Sequence, residues 1–264
     1  MNILLTNDDG ILAEGITALA KALSAVAKVY LVAPRDQKSA CGHGITISRY
    51  MTAEEMNLPY AAGAIAVDGT PADCVKLGLY MLEKSGVSID KVVSGANHGP
   101  NLGTDTIYSG TVSAAVEGAM NEIPSIAVSI GSKSPTEFNA AGKIAVMAAE
   151  MPLDIHGRSV TLNINLPHRP WEDIKGIKVT KLGIMAYEEL YDEAESADGL
   201  RMFAYAGKAV FKDGLLADTD IEGYKAGYIT ITPLQFDMTD HEGLSRLSEF
   251  FSAVCPQKVV YEDF

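Results

Sequence analysis

The most constraining feature of the sequence is its amino terminus, where a short apolar run ends in two adjacent acids. Ile3-Leu4-Leu5 shows no alternation of apolar and polar side chains, which is typical of a strand buried on both faces of a parallel sheet. Asn7-Asp8-Asp9-Gly10 follows almost at once, and these residue types favour turns over strands. Ligands of open α/β sheets bind at the carboxyl ends of the strands, so we expect Asp8 and Asp9 to lie at such an edge.

Two neighbouring carboxylates repel each other and are costly to bury without a cation. Because hard divalent cations prefer carboxylate oxygens, the pair predicts a metal site. The alternative is purely local, since Asp8 suits a turn and Asp9 suits the N-cap of the next helix. The position of the pair directly after the first strand favours the metal.

The composition narrows the class of protein. The chain has 264 residues, of which 47% are hydrophobic and 21% are charged, as expected for one large α/β domain or a domain with an appended subdomain. Its net charge of −13 argues against a nucleic-acid partner. No apolar run approaches the roughly 20 residues needed to span a bilayer, so we expect no membrane partner. The three cysteines form no CxxC pair, which indicates a reducing compartment, and we expect a cytoplasmic protein.

Strands and helices alternate over the first 151 residues, which predicts a doubly wound, mostly parallel sheet of the Rossmann-like kind. The predicted strands begin with Ile3-Leu4-Leu5 and continue with residues 29–33, 65–67, 91–95 and 125–130. The predicted helices cover residues 14–26, a segment after the Thr70-Pro71 start signal, residues 112–119 and residues 140–151. We expect the core to be complete by about Met151, which gives a catalytic region 1–151 and a carboxy-terminal region 152–264.

The carboxy-terminal region follows a weaker pattern. Residues 160–165 and 177–180 are predicted strands, and residues 201–205 are expected to pair with residues 208–211 across Ala206-Gly207 as a β-hairpin. A lone hairpin is marginally stable in water, so we expect the segment from about Tyr187 to Tyr228 to form a protruding arm that holds subunits together. The segment from Thr239 to Glu242 has the form of a capping box and predicts a final helix, also used for oligomerisation.

Three further segments place candidate side chains at the carboxyl edge of the sheet. Ser39 lies in the polar loop after the second strand, although a turn cap explains it equally well. Asn97 follows the fourth strand and could offer an amide oxygen to a cation, or simply occupy a left-handed turn. Ser109, Gly110 and Thr111 begin a helix of small residues, whose free N–H groups suit a phosphate, and ordinary capping by either hydroxyl is compatible with that role.

Motifs of several other enzyme classes are absent from the sequence. It contains no HExxH, GxSxG, Walker A or paired CxxC pattern. The first turn also lacks GxGxxG, which disfavours an NAD-type oxidoreductase on the same fold.

The combination of motifs resembles the SurE family. The resemblance is carried by Ile3–Gly10, Val32-Ala33-Pro34, Gly69–Val75, Val93–Gly103 and Tyr108–Val112, and it extends over essentially the whole chain. This family consists of survival-protein nucleotidases that hydrolyse nucleoside monophosphates. The resemblance implies a Rossmann-like core, a swapped carboxy-terminal region and a homodimer or homotetramer.

The resemblance also implies one divalent metal ion (Mg, Mn or Co), with ligands that correspond to Asp8, Asp9, Ser39 and Asn97. One departure is visible, because Ala40-Cys41 follows Ser39 where many members have glycine, and this difference could alter substrate preference.

These observations together predict a metal-dependent phosphomonoesterase, a 5′-nucleotidase acting on nucleoside 5′-monophosphates. Asp8, Asp9 and Asn97 are the predicted catalytic residues, with either aspartate as the acceptor of a proton from the attacking water. Ser109, Gly110 and Thr111 are expected to bind the substrate phosphate. An aspartyl-phosphate intermediate is disfavoured because the DxD spacing typical of that chemistry is missing. The alternatives are a non-catalytic nucleotide-binding regulator and, less favoured, the NAD-type oxidoreductase.

Overall fold

The structure is a computed structural model, and it describes residues 1–152, 154–155, 158–210 and 217–255. The described chain separates into two compact units, one from Met1 to Leu234 and one that begins at Gln235. None of the helices in the described ranges has both the length and the apolar character needed to cross a membrane.

The strands are numbered in chain order: β1 (Asn2–Thr6), β2 (Lys28–Pro34), β3 (Ala53–Met56), β4 (Gly63–Val67), β5 (Lys91–His98), β6 (Ser125–Ile130), β7 (Asp154–Ile155), β8 (Arg158–Ser159), β9 (Thr161–Leu166), β10 (Ile177–Val179), β11 (Ala186–Tyr187), β12 (Tyr191–Glu195), β13 (Arg201–Tyr205), β14 (Ala209–Val210) and β15 (Ile229–Leu234). The α-helices are α1 (Glu14–Leu23), α2 (Pro71–Lys84), α3 (Gly110–Met120), α4 (Asn139–Glu150), α5 (Asp220–Lys225) and α6 (His241–Val254).

One mixed sheet organises the first unit. Among the described residues it has nine strands, in the order β10-β15-β9-β6-β5-β1-β2-β4-β3. The central strands from β9 to β4 run parallel, whereas β3 and β15 are antiparallel to their neighbours β4 and β9. The predicted α/β class with a mostly parallel sheet is therefore confirmed. Strand order reverses beside β1, and such a switch point is where ligands bind in doubly wound folds.

Helices cover both faces of the sheet, as the continuous apolar strands require. The core on one face includes Ile16 and Leu19 of α1 together with Ile144 of α4. On the other face, Cys74 and Val75 of α2 pack with Ala114 of α3. Burial of these apolar side chains is the main stabilising contribution, at about 25 cal/mol for each Å² removed from water.

The core extends beyond Met151, where the sequence had predicted that it was complete. Leu162 and Ile164 of β9 and Ile229 of β15 are buried in the same cluster as the α1 and α4 side chains. All six residues of β9 are buried, because β6 and β15 cover its two edges and helices such as α3 and α5 pack against the strand. The sheet thus needs strands from the last third of the chain to cover its edge.

The predicted arm contains a hairpin, but its strands are not the predicted ones. β13 pairs with β12 in antiparallel register, with Phe203 opposite Glu193, and β14 pairs with β11 instead. The turn between β12 and β13 contains Asp198-Gly199, and Gly199 has a φ of +83°. Asp-Gly is a strong hairpin turn signal, which explains why this connection closes in preference to Ala206-Gly207. Phe211, the end of the predicted second strand, lies outside the described residues.

The second unit contains the predicted final helix, which begins one residue later than the capping-box pattern implied. Asp240, rather than Thr239, is the N-cap of α6, because its carboxylate accepts a hydrogen bond from the Gly243 N–H at 3.1 Å. The apolar side chains of α6 are exposed, among them Leu244, Leu247 and Phe251.

Candidate metal and phosphate site

Asp8 and Asp9 lie just after the carboxyl end of β1, between the ends of β2 and β5. The parallel registers place Leu5 beside Leu31 of β2 and Thr6 beside Ser94 of β5. The side chain of Asn7 closes the turn, with Nδ2 donating to the Gly10 carbonyl at 2.8 Å and Oδ1 accepting from the Gly10 N–H at 3.2 Å. This local turn holds both aspartates at the edge of the sheet.

The loop after β2 brings Ser39 to this edge. The Lys38 N–H donates to the Asp8 carbonyl at 2.7 Å, which fixes the loop against the turn after β1. The Gln37 amide Nε2 lies 2.9 Å from Ser39 Oγ and 3.3 Å from Asp9 Oδ1. Ser39 is thus held next to Asp9. The sequence analysis did not identify Gln37 as a residue of the site. The available signal was its polar side chain two residues before Ser39, a candidate metal ligand.

Asn97 reaches the site from the end of β5. The backbone N–H of the next residue, His98, donates to Asp9 Oδ2 at 3.2 Å. The Asn97 Nδ2 donates to the Gly99 carbonyl at 2.7 Å, and no described residue donates to its amide oxygen. The oxygen is therefore available to a cation. The alternative of a left-handed turn at Asn97 is wrong, because Asn97 is part of β5 and Gly99 is the residue with a positive φ, +118°.

The start of α3 completes the site. Ser109 is the N-cap, and its hydroxyl oxygen accepts from the Val112 N–H at 3.1 Å. A Cβ at Gly110 would lie 2.9 Å from Asp8 Cβ and 3.0 Å from Cys41 Sγ, so only glycine permits this close approach. The Thr111 hydroxyl, which is fully buried, donates to Asp8 Oδ1. The two hydroxyls predicted to bind phosphate thus make contacts within the protein. The Val112 N–H is occupied by Ser109 and the Thr111 backbone also bonds to Asp8, so in the first helical turn the Gly110 N–H is left to bind an anion.

The electrostatics of Asp8 show why a cation fits here. Its side chain is buried, and burial raises its pKa to about 6, with the Asp9 charge adding to the rise and the Thr111 hydrogen bond opposing it. In the described ranges neither aspartate forms an ion pair with Lys, Arg or His. A buried carboxylate beside a second one is stabilised by a cation between them.

The donor set matches a hard divalent cation. Two carboxylates, a hydroxyl and an amide oxygen suit Mg²⁺ or Mn²⁺. Within the described part of the chain, no three His, Cys, Asp or Glu side chains gather as a metal site, so a Zn²⁺ site of the usual nitrogen and sulfur type is not formed there. Asp8, Asp9, Ser39 and Asn97 therefore fit the predicted metal.

Asn101 holds the loop after β5 in place, and sequence reasoning missed it. Its Nδ2 donates to Ser129 Oγ at 2.8 Å, and its N–H donates to Asn165 Oδ1 at 2.7 Å. Its carbonyl accepts from the side chains of Asn163 and Asn165 at 2.9 and 3.0 Å. All three partner residues are buried, so these four hydrogen bonds hold the segment that connects Asn97 to α3 in place. The sequence offered one signal for this role of Asn101, namely the many Asn and Gly residues of the loop.

A groove of about 800 Å³ lies between α1 and α4, away from these residues. It is lined mainly by apolar and small side chains, including Ala22, Phe138 and Trp171, and by none of the predicted site residues. The predicted site residues therefore lie outside this groove, at the carboxyl edge of the sheet.

Comparison with known proteins identifies the same family as the sequence motifs. The family model described as survival protein SurE matches residues 3–189. The chain is 44% identical to 5′-nucleotidase SurE of Pelotomaculum thermopropionicum, over 94% of this chain and 95% of the relative. It is also 44% identical to 5′-nucleotidase SurE of Clostridium beijerinckii, over 95% of this chain and 99% of the relative. The crystal structure of SurE protein from Aquifex aeolicus superimposes with a TM-score of 0.78 at 35% identity, covering 95% of this chain and 99% of that one.

Proposed function

The chain belongs to the survival protein SurE family, and from this premise we propose that it hydrolyses nucleoside 5′-monophosphates to nucleoside and phosphate. Relatives similar over nearly their whole length carry the name 5′-nucleotidase. The observation that supports the proposal is the proximity of Asp8 to the start of α3, through the Thr111 hydroxyl. One edge of the sheet thus combines a cation-binding carboxylate pair with an anion-binding helix start.

A divalent metal ion, Mg, Mn or Co, is proposed as the cofactor. Its ligands would be Asp8, Asp9, Ser39 and Asn97, which come from the ends of three neighbouring strands. When bound, such an ion offsets the charge of a phosphate ester and lowers the pKa of water toward neutrality. The requirement for a local cation is strong in this protein, because its net charge of −13 repels anionic substrates.

The protein's own groups then orient the substrate. The N–H groups of Gly110 and Thr111 lie in the first turn of α3, where the helix dipole favours an anion. Ser109 caps the helix, and its hydroxyl proton can still be donated to a phosphate oxygen. Asp8 and Asp9 are assigned as the pair from which one carboxylate accepts the proton of the attacking water. Asn97 helps to hold the reacting centre through its amide oxygen.

All of these residues lie within 1–151, which we propose as the catalytic region. The carboxy-terminal region 152–264 completes the core sheet with β9 and β15, and we propose that its arm and α6 serve assembly. Met202 and Phe203 of the arm and Phe250 of α6 are exposed large apolar side chains. A homodimer or homotetramer that buries them is our proposal for the functional state. We place the protein in the cytoplasm, in keeping with its free cysteines at positions 41, 74 and 255.

The test is phosphate release from the full chain with a panel of ribo- and deoxyribonucleoside 5′-monophosphates. Activity is expected to vanish after dialysis against EDTA and to return with Mn²⁺, Mg²⁺ or Co²⁺. The Asp9→Asn variant is expected to be inactive, whereas Asp36→Asn, which changes an exposed aspartate of the same loop region, should retain wild-type activity. Full activity after exhaustive dialysis would exclude the metal mechanism. Nucleotide binding without any phosphate release would favour the regulator.

A further inference from the structure

A buried carboxylate on α3 is not used by the chemistry described above. Glu117 lies about two helical turns after Gly110, and its side chain is 3% exposed. Its oxygens accept hydrogen bonds from His43 Nε2 and Lys76 Nζ, both at 2.9 Å, and from Asn121 Nδ2 at 3.0 Å. Burial raises the pKa of Glu117, but these hydrogen bonds and the Lys76 charge outweigh it, so the pKa is lowered overall. Glu117 is thus a buried, charged side chain that holds three neighbouring side chains by hydrogen bonds.

One of its partners belongs to the loop that carries Ser39. His43 lies four positions after Ser39 in the sequence and comes from a different element than Lys76, which is part of α2. The same loop touches α3 near its start, where the Gly42 N–H donates to the Tyr108 carbonyl at 3.0 Å and Cys41 lies beside Gly110. The loop therefore runs along α3 from the phosphate end toward Glu117.

Charge compensation alone does not explain the contact with His43. Lys76 already supplies a positive charge to Glu117 at ion-pair distance. A buried carboxylate that has one cationic partner and one amide donor is compensated. The contribution of His43 is therefore geometric, because it joins the loop to a helix whose first turn faces the proposed phosphate position.

We propose that His43 and Glu117 are positioning residues, which fix the Ser39 loop at a set distance from the start of α3. Ser39 would be a ligand of the metal and the α3 N–H groups would hold the phosphate, so the distance between the two parts of the site depends on this contact. The inference rests on the proposed function only in assigning the metal to Ser39 and the phosphate to the start of α3. The contact itself can be tested without substrate.

The experiment compares His43→Ala, His43→Gln and Lys76→Met in the full chain. The alanine variant removes the contact, and the glutamine variant keeps an N–H donor that can reach Glu117. The methionine variant removes the Lys76 ammonium from Glu117 and leaves His43 and its loop unchanged. Hydrogen–deuterium exchange of the peptide that contains Gly42 reports loop opening without substrate or metal. Calorimetric titration with Mn²⁺ and steady-state kinetics with AMP then report the consequence for the site.

In His43→Ala we expect the Gly42 amide to exchange about tenfold faster, as loss of one hydrogen bond to a charged group permits. We also expect Mn²⁺ to bind about tenfold more weakly, the size typical of losing a group that orients a ligand. KM for AMP should rise by a similar factor while kcat falls less than about threefold, because the reacting groups remain. His43→Gln should recover most of each loss, and Lys76→Met should match the wild type in exchange.

Wild-type exchange in His43→Ala would overturn the proposal. So would equally fast exchange in Lys76→Met, because the loop would then respond to the charge cluster and not to its own contact. Failure of the glutamine variant to recover exchange or Mn²⁺ binding would likewise contradict it. If the wild type releases no phosphate from any nucleotide, the proposed function fails, whereas the exchange result still decides whether His43 fixes the loop.

Discussion

The hydroxyl of Thr111 donates a hydrogen bond to Oδ1 of Asp8, which links the first turn of α3 to the end of β1. Both side chains are buried. The bond lowers the pKa of Asp8 against the opposing effects of burial and the neighbouring Asp9 charge. A residue that the sequence had suggested as a phosphate ligand thus contacts a proposed metal ligand, Asp8, and connects the two parts of the proposed site.

Thr111→Val is expected to reduce kcat/KM by about 10- to 100-fold, because a hydrogen bond to a charged group contributes about 1.5–3 kcal/mol. Its loss leaves the carboxylate of Asp8 buried with one fewer donor, which makes the charged form that binds a cation harder to maintain. Thr111→Ser keeps the hydroxyl and serves as the matched control. The measurement is steady-state hydrolysis at saturating Mn²⁺, with circular dichroism to establish folding. Wild-type kinetics in the valine variant would show that the bond does not affect catalysis.

Replacement of Asn97 separates its two possible roles. Asn97→Ala removes the amide oxygen together with the hydrogen bond to the Gly99 carbonyl, so Mn²⁺ should bind about tenfold more weakly. Asn97→Asp also loses that hydrogen bond, but it keeps an oxygen ligand. If the side chain is a metal ligand, the aspartate variant should bind Mn²⁺ at least as tightly as the wild type. If Asn97 only stabilises the turn, calorimetry should give the two variants the same affinity.

Glu117→Gln is expected to lower the free energy of unfolding by about 1–3 kcal/mol near neutral pH, since it removes a charge from the bonds with His43 and Lys76. The pKa of Glu117 is lower in the folded protein than its usual value of about 4.3, so its stabilisation is present above that value. The stabilisation is lost as the pH falls through the folded-state pKa. Urea unfolding should therefore show the difference between wild type and variant shrinking in acid.

Glu83→Gln is the matched control for this prediction, because Glu83 is an exposed residue of α2. It should change stability by less than about 0.5 kcal/mol at any pH, as exposed substitutions usually do. A difference between wild type and Glu117→Gln that stays constant or grows in acid would contradict the assigned direction of the pKa shift.

Phe203→Asp is expected to lower the oligomeric mass measured by light scattering, while the far-UV spectrum stays largely unchanged. Phe203 is an exposed aromatic side chain on β13 of the arm, and a charge at that position would oppose burial against another subunit. Tyr50→Asp introduces the same charge at a side chain that is 99% exposed outside the arm, and it should keep the wild-type mass. Retention of that mass by the Phe203 variant would exclude this face of the arm as the interface.

The elements whose signals are local could be predicted from the amino-acid sequence. The apolar run before Asp8 specified a buried strand, and the turn-forming residues after it ended that strand at the edge where ligands bind. Thr70 and Pro71 marked the start of α2, where the structure shows a capping box with Asp73. A helix cap or a buried strand depends on the side chains of a few consecutive residues, so it can be recognised in a short stretch of sequence.

Contacts between side chains far apart in the sequence became visible when the strands were assembled into the sheet. The sequence could not show that Thr111 would bond Asp8, that Gln37 would join Ser39 to Asp9, or that Asn101 would be held by β6 and β9. Nor did it identify β12 as the partner of β13, although Asp198-Gly199 was the local signal for that turn. Each of these contacts depends on the register and order of the strands. That order follows from burying both faces of one sheet, which is a property of the whole chain and not of any short segment.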